Sequence, residues 1–134
     1  MRDQSTSVRV YIEDTDAGGV VFYANYLRYM ERARTEALRR AGIDLTEWQR
    51  HSGRLFVVRS VRIDYRLPAR LDDELTVHAN MTRVKRASLE CEQPIDRGGQ
   101  RLVDASVVLA CIDADRLTPV RVPGEIVAAL GGIS

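Results

Sequence analysis

The stretch EDTDAGGVVFYANY, residues 13–26, sets three acids within four positions, follows them with two glycines, and then turns apolar and aromatic. An aspartate of ordinary pKa, about 3.9, is ionised at neutral pH without help. It can attack an activated acyl carbon or draw a proton from water. Gly18 and Gly19 let the backbone approach a ligand closely. The segment 20–24, beginning at Val20, leads into a helical pattern, so its N–H groups lack partners within the helix and are free to face a ligand. Such donors suit a carbonyl oxygen that becomes negative during attack, where one of them is worth roughly 3–4 kcal/mol. A carboxylate is a weak nucleophile, so the substrate has to be reactive. A thioester fits, because its carbonyl has less resonance protection than an amide.

Other readings of the same acids stand beside this one. Asp14 and Asp16 are two apart, so on an extended chain they would share a face and could together hold Mg²⁺. They also partly match the D-x-D of aspartate-based phosphatases. The strand before that motif is usually buried and uniformly apolar, whereas SVRVYIE alternates with Arg9 and Glu13. The plainest alternative is a turn, for which Asp and Gly are common residues.

Most familiar devices are missing. The chain has no G-x-S-x-G elbow, no G-x-x-x-x-G-K-[ST] loop and no G-x-G-x-x-G fingerprint. His51 and His78 have ligand spacing neither to each other nor to a cysteine, so no metal and no cofactor is expected. A net charge of +1 gives no global signal for nucleic acid or a membrane surface. No run approaches the ~20 apolar residues of a membrane span. The N-terminal MRDQSTSVRV has no apolar stretch behind its arginine, so no signal peptide is read there. Cys91 and Cys111 lie far apart among apolar neighbours, as reduced core thiols of a cytoplasmic protein would.

The elements that must position these residues follow from periodicity. The length of 134 residues fits a single domain, 1–134. Residues 8–12 read as a strand ended by the acids and the glycine pair. From 25 to 41 the period is helical, with Tyr26, Tyr29, Met30, Ala33, Ala37 and Ala41 on one face. Asn25 is the expected N-cap and Gly42 the stop. Glu31 with Arg34, and Glu36 with Arg39 and Arg40, are expected to pair on the outer face. Asp44 and Glu47 mark a short second helix. Then the period drops to two. Residues 60–67 alternate, with Val61, Ile63, Tyr65 and Leu67 facing one way, and 74–84, 86–96 and 101–113 repeat the pattern. Gly98-Gly99 supplies a hairpin. A short helix with Pro123 near its start closes the chain. One helix cannot cover a whole sheet, so the order strand, helix, four strands predicts an open edge and self-association.

EDTDAGGVVFYANYLRYMERARTE resembles the signature of hotdog-fold acyl-CoA thioesterases of the 4-hydroxybenzoyl-CoA type. VRIDYRLPARLDDELTV is still more similar to the Tol–Pal-associated branch of that family. The resemblance runs from about residue 8 to residue 122. It implies an α+β hotdog fold, a long helix packed on a five-stranded antiparallel sheet, with the site at a dimer interface near the helix N-terminus. Asp16 matches the family's catalytic carboxylate and Asp14 a structural neighbour. Tyr23 matches the position whose backbone N–H polarises the thioester carbonyl. Phe22-Tyr23 stands where the Tol–Pal branch often has Tyr-His, which brings the chain closer to the 4-hydroxybenzoyl type at that point. Gly19, Val20 and Tyr26 fall in the motif as substrate-binding candidates, and Ser60 on a strand that could line the pocket. Coenzyme A carries phosphates that need local cations, for which Arg83, Lys85 and Arg86 at a turn are candidates. The implied partners are an acyl-CoA substrate and further copies of the chain as a homodimer or homotetramer, with acyl carrier protein as a further candidate. The rival reading is a module that binds acyl thioesters or acyl carrier protein without turnover.

Overall fold

Seven strands and three helices make up the computed structural model, which describes residues 4–131. In chain order they are β1 (Ser5–Arg9), α1 (Asn25–Arg40), α2 (Leu45–Ser52), β2 (Arg54–Tyr65), β3 (Glu74–His78), β4 (Asn80–Val84), β5 (Ser88–Glu92), β6 (Ile95–Arg97), β7 (Gln100–Asp113) and α3 (Gly124–Ala129). A single 3-10 turn, Ile12–Asp14, follows β1. Every pairing is antiparallel, in the order β1-β3-β6-β7-β5-β4, with β2 added on β7.

The expected five strands are present, two of them broken. β3 and β4 are halves of one run interrupted at Ala79, and β5 and β6 halves of another interrupted at Gln93 and Pro94. Pro94 has no N–H to give a ladder. Gln93, fully buried, fills the break with its side chain. Its Nε2 donates to the Met30 carbonyl at 2.9 Å and to the His78 carbonyl at 3.1 Å, and its Oε1 accepts from Arg34 at 3.0 Å. Arg34 is therefore turned into the helix–sheet seam and not outward to Glu31, as its spacing suggested. Glu36 pairs with Arg39 as expected, but Arg40 reaches Gln4 and Thr6 instead.

α1 buries Tyr26, Tyr29, Met30, Ala33 and Ala37 of the predicted stripe and Leu38 beside them, while Ala41, expected to close the stripe, is the half-buried C-cap. Ala33 and Ala37 have almost no surface, so the helix lies close to the strands beneath it. It ends in a Schellman arrangement. The Ile43 N–H reaches the Leu38 carbonyl and the Gly42 N–H the Arg39 carbonyl, with Gly42 at φ +89. α2 starts where Asp44 accepts the Glu47 N–H, and Trp48 stacks on Phe56 of β2 with centroids 4.9 Å apart.

Two boundaries differ from expectation. The first strand ends at Arg9, not residue 12, because the Asp14 carboxylate takes the Tyr11 N–H and folds 12–14 into the turn. The strand expected over 60–67 runs from Arg54 to Tyr65. Its inward face is only partly covered: Ile63 packs against the core, but its neighbours on that face do not. α1 packs over β1 and β3, and α2 over the start of β2, so Val58, Val61 and Tyr65 remain 47%, 39% and 45% exposed. Among the described residues β2 is also unpaired on its outer side. Among the described residues no helix is long and apolar enough to cross a membrane.

Candidate active site

Residues 14–22 form a small hairpin stapled to the β2–β3 connection. The Phe22 N–H donates to the Asp14 carbonyl, the Asp16 N–H to the Val20 carbonyl, and the Gly19 N–H to the Asp16 carbonyl. Gly19 sits at φ +79, where a side chain would be strained. Val20 bridges to Arg70, and the Val21 N–H donates to the Ala69 carbonyl at 2.9 Å. At the head of this turn the Asp16 side chain is exposed. Its Oδ1 accepts the Gly18 N–H at 2.8 Å, while its Oδ2 has no donor among the described residues.

Asp14 faces the other way. Its Oδ1 accepts from Asn25 Nδ2 and its Oδ2 from the Tyr11 N–H, both at 2.9 Å. Burial works to raise its pKa, but these bonds and the nearby Arg32 charge outweigh it and hold the carboxyl below its ordinary value. The buried Tyr29 hydroxyl lies close to this pair without a hydrogen bond of good geometry, and burial with the Asp14 charge drives its pKa upward. Asp14 and Asp16 therefore do not share a face and do not converge on one ion, because 12–14 is a turn and not a strand. Asn25 is not the N-cap either. It is the first residue of α1 and uses its side chain on Asp14, leaving Ala24 at the cap without a side-chain bond.

The helix N-terminus is thus open. The Asn25 N–H donates to the Phe22 carbonyl at 2.8 Å, but among the described residues neither the Tyr23 nor the Ala24 N–H has an acceptor. From β2, the Tyr65 hydroxyl donates to the Tyr23 carbonyl at 3.1 Å. The Tyr65 ring lies 5.4 Å from that of Tyr26 and 6.5 Å, edge to face, from that of Tyr23. A cavity of about 230 Å³ opens here, walled by Val21, Tyr23, Tyr26, Tyr65, Leu67 and Pro68. Tyr26 is only 3% exposed and accepts the Ala69 N–H on its hydroxyl, so its main work is packing. Burial raises the pKa of both Tyr26 and Tyr65, which keeps their hydroxyls protonated.

The remaining candidates lie elsewhere. Ser60, Val108, Glu90 and Arg83 form one cross-strand row, on the sheet face away from the helix. Ser60 is five residues before Tyr65, roughly 17 Å along the strand. The single chain does not bring it to the Asp16 loop. Arg83 and Lys85 both pair with Glu90, at 3.9 and 3.1 Å, which offsets the positive charge expected for phosphates. Arg86 has no carboxylate partner among the described residues. His51 lies 3.5 Å from Glu125 and His78 2.9 Å from Asp96. Cys91 and Cys111 are buried free thiols, and burial pushes Cys91 up to about 12.

Tyr65 is the site residue that the sequence reading missed. The signal was present: a hydroxyl on the inward parity of Val61 and Ile63, in a strand bounded by Pro68.

Residues 18–103 match the model described as the Thioesterase superfamily. The acyl-CoA thioesterase YbgC of Haemophilus influenzae is 44% identical over 125 residues, 93% of this chain and 92% of that protein. The acyl-CoA thioester hydrolase YbgC of Escherichia coli O6:H1 is 42% identical over 123 residues, 90% of each chain. The crystal structure of a probable thioesterase from Bartonella henselae superposes with a TM-score of 0.84 at 37% identity, covering 91% of this chain and all of that one.

Proposed function

The chain belongs to the thioesterase superfamily, and on that premise we propose that it hydrolyses acyl-CoA thioesters with Asp16 as the catalytic carboxylate. The observation that carries the reading is the pairing of two features at one end of the helix. Among the described residues, an exposed carboxylate has one oxygen held by Gly18 and the other unengaged, and the Tyr23 N–H, at the far end of the same hairpin segment, is without an acceptor.

The acyl carbonyl oxygen takes the Tyr23 N–H, which stabilises negative charge as it develops. Asp16 Oδ2 supplies the electron pair for the new bond to the acyl carbon, on its own oxygen or through a water that it deprotonates. The C–S bond breaks, and the sulfur leaves with a proton as CoA-SH. Water supplies the second oxygen of the acid. The cavity walled by Tyr23, Tyr26 and Tyr65 takes the first atoms of the acyl group. This needs no metal and no redox cofactor.

The exposed valines of β2 and its open edge support a homodimer formed through that strand, which would carry the site into the interface and shield Asp16 from bulk water. A tetramer of two such dimers remains compatible with the charged outer face of the sheet. A cytoplasmic location accords with the two free thiols.

Thiol release from a panel of short, long and aromatic acyl-CoAs tests the assignment. Asp16→Ala is expected to lose on the order of 10²–10⁴ in kcat. Comparable rates in both proteins would overturn the role of Asp16. Saturable binding of acyl-CoA with no release by either protein would favour the binding-module reading.

A further inference from the structure

The open helix start has a feature that its hydrolytic role does not by itself require: both carbonyls flanking residue 23 are held. The Phe22 carbonyl accepts the Asn25 N–H at 2.8 Å, and the Tyr23 carbonyl accepts the Tyr65 hydroxyl at 3.1 Å. A trans peptide is planar, with its N–H directed opposite to its carbonyl. No cis bond occurs among the described residues. Holding the carbonyl of residue 22 therefore aims the Tyr23 N–H, and holding that of residue 23 aims the Ala24 N–H. Neither N–H has an acceptor among the described residues.

The two restraints differ in origin. The first is local, a turn closed within the same segment. The second comes from 42 residues away, from the last residue of β2. Tyr65 is held for this purpose by its ring, against Tyr26 and Tyr23. The buried Tyr26 is anchored in turn by the Ala69 N–H. A hydroxyl donated to a carbonyl also polarises the peptide and strengthens its N–H as a donor.

We propose that Tyr65 is a positioning residue for thioester hydrolysis, fixing through the Tyr23 carbonyl the plane of the 23–24 peptide so that the Ala24 N–H joins the Tyr23 N–H as a second donor to the developing oxyanion. The inference rests on the hydrolase reading above. It adds that the edge strand β2 does more than bound the cavity, since it sets the direction of a donor that belongs to the helix start. Tyr65 does not touch the reacting atoms.

Tyr65→Phe isolates the hydroxyl, since the ring and its contacts stay. Two measurements are needed. In thiol release from the acyl-CoA panel, kcat is expected to fall about tenfold, less than the ~10²-fold or more for deleting a donor outright. KM is expected to stay within about twofold, because a restraint on the oxyanion donor acts mainly in the transition state. In amide NMR of the ¹⁵N-labelled protein without substrate, the Ala24 resonance is expected to move while that of Ile126 in α3 stays in place.

An unchanged kcat overturns the proposal. So does a rise in KM that accounts for the whole loss of kcat/KM, which would mark Tyr65 as a wall of the cavity only. An unmoved Ala24 amide overturns it as well. If the wild-type protein is inert toward the whole panel, the hydrolase reading has failed, and the Ala24 resonance alone decides whether Tyr65 fixes the peptide.

Discussion

Asp16 Oδ1 accepts the Gly18 N–H at 2.8 Å, and a Cβ placed on Gly18 would lie 3.3 Å from that same oxygen. The glycine therefore serves the carboxylate in two ways: it donates to one oxygen and leaves room for it. Gly18 does not lie in the left-handed region, so alanine there brings no backbone strain of its own. Its methyl group would press on the carboxylate. Gly18→Ala is expected to reduce kcat about tenfold, since misplacing a reacting group by a fraction of an ångström is costly. The melting temperature should shift by less than about 2 °C. A steady-state assay beside a thermal melt checks both, and wild-type kcat would show that the carboxylate has freedom to adapt.

Gln93 and Arg34 make a second testable pair. Gln93→Leu removes the acceptor of a half-buried guanidinium and the donor to two carbonyls. Taking that acceptor from the Arg34 guanidinium is expected to cost about 2–4 kcal/mol, read from urea denaturation. Adding Arg34→Met should recover part of that loss, because deleting both partners of a buried bond is milder than deleting one. A double variant as unstable as the sum of the singles would show that the two side chains act independently.

Acid should destabilise the fold in a defined window. Asp14, Asp73 and Asp96 are all held below the ordinary carboxylate value. In each, burial works to raise the pKa and is outweighed: by Tyr11 N–H and Asn25 for Asp14, by Arg70 N–H and Arg97 for Asp73, and by Arg101 and His78 for Asp96. A folded pKa below the unfolded one contributes stability that is present above the unfolded value, about 3.9, and lost as pH falls through the folded value. Equilibrium unfolding should show the full, pH-independent contribution of these three groups between about pH 5 and 7 and a falling stability below about pH 4. Asp14→Asn should make that fall shallower. An unchanged slope would remove Asp14 from the account.

Self-association is expected to depend on β2. Val61 faces the helix side of the sheet yet is 39% exposed, on a strand with one side unpaired among the described residues. Val61→Lys should lower the sedimenting mass toward that of one chain and reduce activity with it. If the wild-type protein sediments as a monomer at full activity, the edge has no such role.

Most local features were legible before folding. Gly42 and Asp44 could be read because a helix end is closed by groups a few residues apart. The stripe of α1 could be read because burial of one face imposes its period. The Asp16 turn was readable as chemistry from three residue types in order. What misled was also local. Asp14 and Asp16 look like strand neighbours only if the chain stays extended, and Asn25 looks like a cap only if its side chain is free. Asp14 changes both by bonding to Tyr11 and to Asn25.

By themselves, the residues of this chain determined the alternating and helical segments, the presence of carboxylates beside a glycine turn that could react, and the need for something to cover an open edge. Those are consequences of period and of side-chain chemistry. The partners of Arg34, Tyr65, Arg83 and Lys85 were decided by the sheet. Arg34 finds Gln93 59 positions away, Tyr65 finds Tyr23 42 positions away, and Arg83 and Lys85 meet Glu90 across the β4–β5 ladder. A strand's register and its breaks set which distant atoms come within hydrogen-bond reach, and no spacing along the chain encodes that distance.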